Sequence, residues 1–189
     1  VISKIRPMTR RDIIRIAHLH YLAMGNSLWA KLGERFLREI YRGLLSNQYF
    51  LGFVYVESGQ IEGFIAGSTD TSAMMRGVFI TRAPRLTIAA LLGLRDPTVA
   101  KQLLQTLRYF SQSSQELENN VSAESLFCSF TPKLRGKRIS GHINKVLFDT
   151  LYAKGHQQVK ITTETDNNGA NRQLQRWGFT NKGTFQFYN

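Results

Sequence analysis

The run AESLFCSFTPKLRGKRISGHINKVLFDTL, from Ala123 to Leu151, constrains this chain more than any other. It reads as an apolar strand, a basic turn headed by Pro132, and an amphipathic helix. No acid lies between Glu124 and Asp149, so nothing in the sequence neutralises the start of that helix. The first-turn N–H groups have no partner within the helix, and the helix dipole adds positive potential at the same end. The turn is therefore a candidate anion site, for which a pyrophosphate is the usual biological occupant.

At 189 residues the chain fits one domain, 1–189, large enough to enclose a single core. A hydrophobic share of 42% with 20% charged residues argues against global disorder. The single cysteine, Cys128, excludes an internal disulfide and fits a reducing compartment, so a cytoplasmic location is expected. No run is long and apolar enough for a membrane span, and no cluster suggests a metal. The compositional outlier is a net charge of +12. It predicts a positive field that speeds encounter with anionic partners, among them nucleic acid, an acidic membrane surface or a polyphosphate. The 25 cations are dispersed along the chain, which suits a solvated surface better than a nucleic-acid stripe.

Ile2 to Arg6 reads as a first strand. Thr9 followed by Asp12 is a helix-start pattern, and Ile13, Ile16, Ala17, His20 and Met24 follow at helical spacing. His20 on that apolar face is expected to be a satisfied core histidine. A second helix carries Phe36, Leu37, Ile40, Tyr41 and Leu44. Tyr49 to Glu57 and Ile61 to Ser68 flank a glycine turn and predict an antiparallel hairpin. Residues 70–120 read as a helical insert: an apolar helix at Leu86 to Leu94, a second on Val99, Leu103, Leu107 and Phe110, then a polar loop from Ser111 to Asn120. Val159 to Thr165 predicts a strand, Asn167 to Trp177 a short helix, and Thr184 to Tyr188 a last strand.

The segment Phe130-Thr-Pro132-Lys-Leu-Arg135-Gly136-Lys137, followed by a helix, a strand, Asn167, Ala170 and Gly178-Phe179, resembles the GCN5-related N-acetyltransferases, the GNAT superfamily. The motifs occupy about 65 residues from Ala123 on, and the element order extends the resemblance over most of the chain. It implies an α/β fold with a mixed central sheet, splayed parallel strands and flanking helices. It implies acetyl-CoA as acyl donor, with its diphosphate on Arg135, Gly136, Lys137, Arg138, Ile139, Ser140 and Gly141. The main chain of Cys128, Ser129 and Phe130 would hold the pantetheine arm and the thioester oxygen. Asn167 would bond the arm as well, or cap its helix, or do both.

Two departures from the family pattern stand out. Arg138 and Ser140 occupy places where the family's turn has small residues. Arg138 gives up glycine's freedom at positive φ and adds a cation. Leu174 stands where many members have a tyrosine that protonates the departing thiolate; Tyr188, Tyr152 or water would have to substitute. An amine must lose a proton before it attacks, and the resemblance offers two carboxylates. Glu124 begins a strand like that of the histone-acetylating branch, and Glu164 precedes the asparagine as in another branch. Cys128 as a covalent nucleophile is disfavoured, since no histidine is near it in sequence and direct transfer needs none.

The sequence thus predicts acetyl transfer to a primary amine of a small molecule or peptide, with no metal. A non-catalytic basic module that binds nucleic acid or an acidic surface is the rival, and an acyl-CoA-binding protein without turnover lies between them. The identity of the acceptor and the oligomeric state are not legible.

Overall fold

The computed structural model describes residues 4–25, 27–93, 99, 101 and 121–184. Five strands form one sheet in the order β1-β2-β3-β4-β5. They are β1 (Ile5–Pro7), β2 (Phe50–Glu57), β3 (Gln60–Ser68), β4 (Glu124–Phe130) and β5 (Lys160–Ile161). The first four pair antiparallel, and β4 with β5 is parallel. The predicted hairpin is β2–β3, closed by Ser58 and Gly59 with φ of 51° and 76°. Positive φ at both turn residues matches the twist of the flanking strands.

Helices cover both faces. On one lie α1 (Ile13–Ala23), the short α2 (Leu28–Lys31), α3 (Gly33–Leu44) and α4 (Thr71–Gly93). Ile13, Ile16, Leu19, Phe36, Ile40, Tyr41, Leu44, Met74 and Val78 pack there against Val54 and Phe64. The other face is closed by α5 (Ile139–Ala153), whose Ile139, Ile143, Leu147 and Leu151 meet Tyr55 and Ile65. They form the apolar face of the amphipathic helix expected after the basic turn. A final helix, α6 (Asn168–Arg176), follows β5. Arg6 clamps Asp12 through two bonds of 2.7 and 2.9 Å, joining β1 to the start of α1. Asp12 also accepts from the Thr9 N–H at 2.7 Å, closing the predicted helix start.

The insert differs from the expectation. Instead of starting near Leu86, one helix runs from Thr71 to Gly93 with Pro84 inside it. Asp70 accepts from the Ala73 N–H at 2.9 Å and so caps it. Met74, Met75 and Val78 then bury one side against α3. Gly77 and Pro84 hide this helix from a propensity reading, and tertiary burial overrides them. The second insert helix, apart from Val99 and Lys101, lies outside the described residues, as do the Ser111–Asn120 loop and the last strand beyond Thr184. The strand expected over Val159 to Thr165 keeps only Lys160 and Ile161 in the sheet.

Gly67 controls how closely β3 approaches β4. A Cβ there would sit 2.9 Å from the Glu124 carbonyl oxygen and 2.9 Å from both Leu147 methyl groups. Glycine is required by that close approach.

His20 is buried against Phe64 and Phe127, and its Nδ1 lies 2.9 Å from the Tyr41 hydroxyl. Burial pushes its pKa down from 6.5 to about 4, so it is neutral in the folded protein near neutral pH. A depressed histidine contributes stability above pH 6.5 that is lost as pH falls toward 4. The whole change amounts to about 3 kcal/mol. We expect His20→Phe to flatten the pH dependence of the urea unfolding free energy over that window. An unchanged slope would show that another group titrates.

Candidate functional site

The site is built where β4 and β5 part. Their register is Glu124↔Lys160 and Ser125↔Ile161, and it ends there. β4 continues to Phe130 with β3 alone, through a register shift that leaves Leu126 as the extra residue. Leu126 and Phe127 consequently both pack toward the α1–α4 face, while Cys128 and Phe130 pack toward α5.

The hydrogen-bond alternation fixes which amides face the gap. The Thr131 N–H donates to the Glu62 carbonyl at 2.8 Å, so that residue's main chain addresses β3. Along an antiparallel strand the direction alternates, so Ser129 also addresses β3. Cys128 and Phe130 address the side that β5 has left. Ser129 is therefore not brought to the gap, and its hydroxyl donates to the Leu19 carbonyl at 3.3 Å. The expectation of three neighbouring main-chain contacts reduces to two alternate ones.

The gap leads to the basic turn. Pro132–Leu134 forms a short 3-10 helix, and the amides of Leu134, Arg135 and Lys137 bond back within the turn at 3.0 to 3.1 Å. Those of Gly136, Arg138, Ile139, Ser140 and Gly141 have no protein acceptor among the described residues. Among the described residues no side chain caps α5, and no acid stands in its first turn. Two of the four cations are partly neutralised. Lys133 pairs with the buried Glu62, and Lys137 lies 3.8 Å from Glu57. Arg135 and Arg138 are exposed and have no ion pair among the described residues.

Glu62 was not singled out in the sequence. It is the extra residue at a register shift in β3, and it accepts from Thr131 Oγ1 at 2.8 Å while lying 3.8 Å from Arg15. Burial pushes its carboxyl up, but Lys133, Thr131 and Arg15 outweigh that and hold it below the ordinary range. It anchors the entrance of the turn. Arg138 adopts φ 58°, ψ 16°, so an arginine takes the left-handed conformation that glycine would take without cost. The expectation that Arg138 forfeits this geometry is corrected: the geometry is kept, under strain.

α6 closes the other side. Gln173 donates to Ser140 Oγ at 3.1 Å, and Trp177 packs edge-on against Phe148 at 6.2 Å. Asn167 caps α6, accepting from the Ala170 N–H at 3.2 Å, which leaves its amide nitrogen available. Asn144, also unnoticed in the sequence, is buried and donates to the Ser140 carbonyl at 2.8 Å and to Cys128 Sγ at 3.7 Å. Burial pushes the Cys128 thiol up to about 12, so it holds no thiolate at neutral pH.

The two candidate carboxylates have different surroundings. Glu124 has a side chain 12% exposed, lies 4.0 Å from Lys160 Nζ and accepts from Thr162 Oγ1 at 3.4 Å. Thr71, whose buried hydroxyl has no well-formed hydrogen bond, stands close enough to favour the charged form. Burial dominates, so the Glu124 pKa is raised despite Lys160, Thr71 and Thr162. Glu164 is exposed, and its carbonyl accepts from Asn167 and Asn171. Tyr152 is 72% exposed on the outer side of α5, Leu174 is half-buried on α6, and Tyr188 lies outside the described residues. Among the described residues no group of three or more His, Cys, Asp or Glu side chains can hold a metal ion. No described helix is long and apolar enough to cross a membrane.

No family model matches this chain, and no curated protein matches it. Solved structures match over nearly its full length. Aminoglycoside N-acetyltransferase AAC(6')-Iy in complex with CoA superposes with a TM-score of 0.64 at 13% identity, covering 98% of this chain and 92% of that one. Aminoglycoside antibiotic 6'-N-acetyltransferase AAC(6')-IG from Acinetobacter haemolyticus gives 0.63 at 10% identity, covering 98% and 96%. The chain has the GCN5-related N-acetyltransferase fold. A Bacillus halodurans protein described as a transcriptional regulator matches with 0.60 at 11% identity, covering 96% and 95%. The acetyltransferase fold is thus shared by proteins described in different terms, and function has to be argued from the gap and the turn.

The strain at Arg138 gives a direct test. Arg138→Gly is expected to raise stability toward urea by about 1 kcal/mol, whereas Arg138→Ala leaves the left-handed strain in place. Equal midpoints for the two variants would show that the backbone is unstrained there.

Proposed function

We propose that this protein transfers an acetyl group from acetyl-CoA to a primary amine by direct attack. The observation that carries the reading is the gap beside β4: two outward amides on Cys128 and Phe130, leading to a turn whose N–H groups and two arginines have no partner among the described residues. These residues fit the donor. A diphosphate suits the amides of Gly136 and Arg138 to Gly141 with the guanidinium groups of Arg135 and Arg138. Amide-bearing pantetheine suits a strand edge without a partner, and Asn167 has an amide nitrogen to add.

Acetyl-CoA supplies an activated acyl group, and the protein supplies position and proton transfer. The thioester oxygen gains charge as the amine adds, and an amide fixed on β4 stabilises that charge without reorganising. A lysine-like amine is about 3.4 pKa units short of its free base at pH 7, a deficit of about 4.6 kcal/mol. Glu124 is the base we favour over Glu164. It is buried, its raised pKa makes it a better proton acceptor, and it stands where β4 and β5 begin to part. Leu174 offers no acid to the leaving thiol, so solvent takes that role. The +12 charge disfavours polycations such as aminoglycosides and favours neutral or anionic amine acceptors.

Calorimetry with acetyl-CoA tests the cofactor part. Binding is expected, and Arg135→Ala should weaken it by about 10-fold or more through loss of a charge-assisted bond. No binding by the wild type would overturn the reading. Salt-sensitive binding of nucleic acid in its place would favour a basic binding module.

For the chemistry, Glu124 has to be ionised to act. The acid limb of kcat/KM should therefore lie above the ordinary glutamate range, with activity lost as pH falls through it. Glu124→Gln should lower kcat by about 100-fold and remove the limb. A variant with full kcat would eliminate Glu124 as the base.

A further inference from the structure

Lys160 is the charge partner of Glu124, and its position gives its own amine a second possibility. It stands directly opposite Glu124, in the first of the two pairs that join β4 to β5. Its Nζ lies 4.0 Å from Glu124 Oε2, its side chain is 40% exposed, and it has no other ion pair among the described residues. The parted stretch of β4 runs from Leu126 to Phe130, five residues or about 17 Å. An acyl-bearing arm anchored by its diphosphate at the turn would extend along this stretch, past the outward amides of Phe130 and Cys128, toward the apex of the gap. At the apex a tethered primary amine already faces the carboxylate proposed as base. Tethering replaces a bimolecular encounter with an intramolecular one, worth several orders of magnitude in effective concentration.

Resting on the acetyl-CoA reading, we infer that Lys160 is an acetylation site that this protein modifies itself. The Lys160 ammonium passes a proton to Glu124, and the free amine adds to the thioester carbon. The C–N bond forms as the C–S bond breaks, and the electron pair leaves with the CoA sulfur. The amine's remaining extra proton goes to solvent and the thiolate is protonated by solvent. One acetyl-CoA is consumed per acetyl-lysine, with no oxidant or further reactant. The product is an uncharged amide beside Glu124. Lys154, exposed at the C-terminal end of α5, has no such neighbour and reports chemical acetylation by the thioester alone.

The test is peptide mass spectrometry of the full chain over time with acetyl-CoA and no acceptor, at two protein concentrations. Lys160 should gain an acetyl group at least about 10-fold faster than Lys154, and Glu124→Gln should slow it by a similar factor. The rate per molecule should not change on dilution, a readout that needs no variant to fold. Lys160→Arg should abolish the signal from that peptide and leave Lys154 unaffected. Modification of Lys160 no faster than Lys154, or a per-molecule rate proportional to protein concentration, overturns the inference. Binding and amine turnover with Lys160 unmodified overturn it and leave the acetyl-CoA reading intact. Absence of acetyl-CoA binding in calorimetry overturns both.

Discussion

The structure depends on one unmade set of hydrogen bonds, along β4 after Ser125. A strand inside a sheet normally pairs on both edges, because a buried amide without a partner costs about 1–3 kcal/mol. Here β4 keeps β3 over its length while β5 stays for two residues. The parting has several supports. The extra residue at Leu126 rotates the strand, and α6 leans on α5 through Gln173–Ser140 and Trp177–Phe148. Glu62 ties the far end of β4 to the turn through Thr131 and Lys133. An open edge held this way is a fixed set of donors rather than a frayed strand.

The same geometry explains how a chain of net charge +12 focuses its charge. Most acids of the first half are already engaged: Asp12 with Arg6, Glu34 with Arg38, Glu39 with Arg42, Glu62 with Lys133. In the turn Glu62 takes Lys133 and Glu57 takes Lys137, while Arg135 and Arg138 have no ion pair, and five amides beside them no acceptor, among the described residues. Cation and amide are thereby adjacent, which suits a single anion better than a solvated lysine stripe would.

What was legible in the sequence was local. The hairpin, the Thr9–Asp12 helix start, the apolar stripe of α5 and the basic turn rest on spacings of two to four residues, which the chain displays directly. What was hidden depends on distant contacts. The sequence places α4 only from Leu86, because the part of it before that residue is held by packing on α3. β5 looked seven residues long because Val159 to Thr165 has strand composition, yet pairing depends on where β4 turns away. Ser129 faces β3 rather than the gap because one extra residue at Leu126 shifts the alternation. Glu62 and Asn144 gave no signal at all, since a buried polar residue is recognisable only from the partners that surround it. The family resemblance points to the turn and Asn167 but carries nothing on the direction of each amide.

The asymmetry between Glu124 and Leu174 follows from the two protons the reaction must move. An alkylammonium releases its proton about 3.4 pKa units above neutral pH, so the nucleophile is scarce without a base. A thiol with pKa near about 8.5 departs as its anion at a cost of only about 2 kcal/mol relative to neutral pH. In the proposed role, burial is what would make Glu124 a better proton acceptor, and burial without charge compensation would leave it protonated. Lys160, Thr71 and Thr162 oppose that burial and favour the charged form. For the proposed base, a carboxyl raised by burial and restrained by one lysine is the compromise required. A leucine at the thiol side costs it comparatively little.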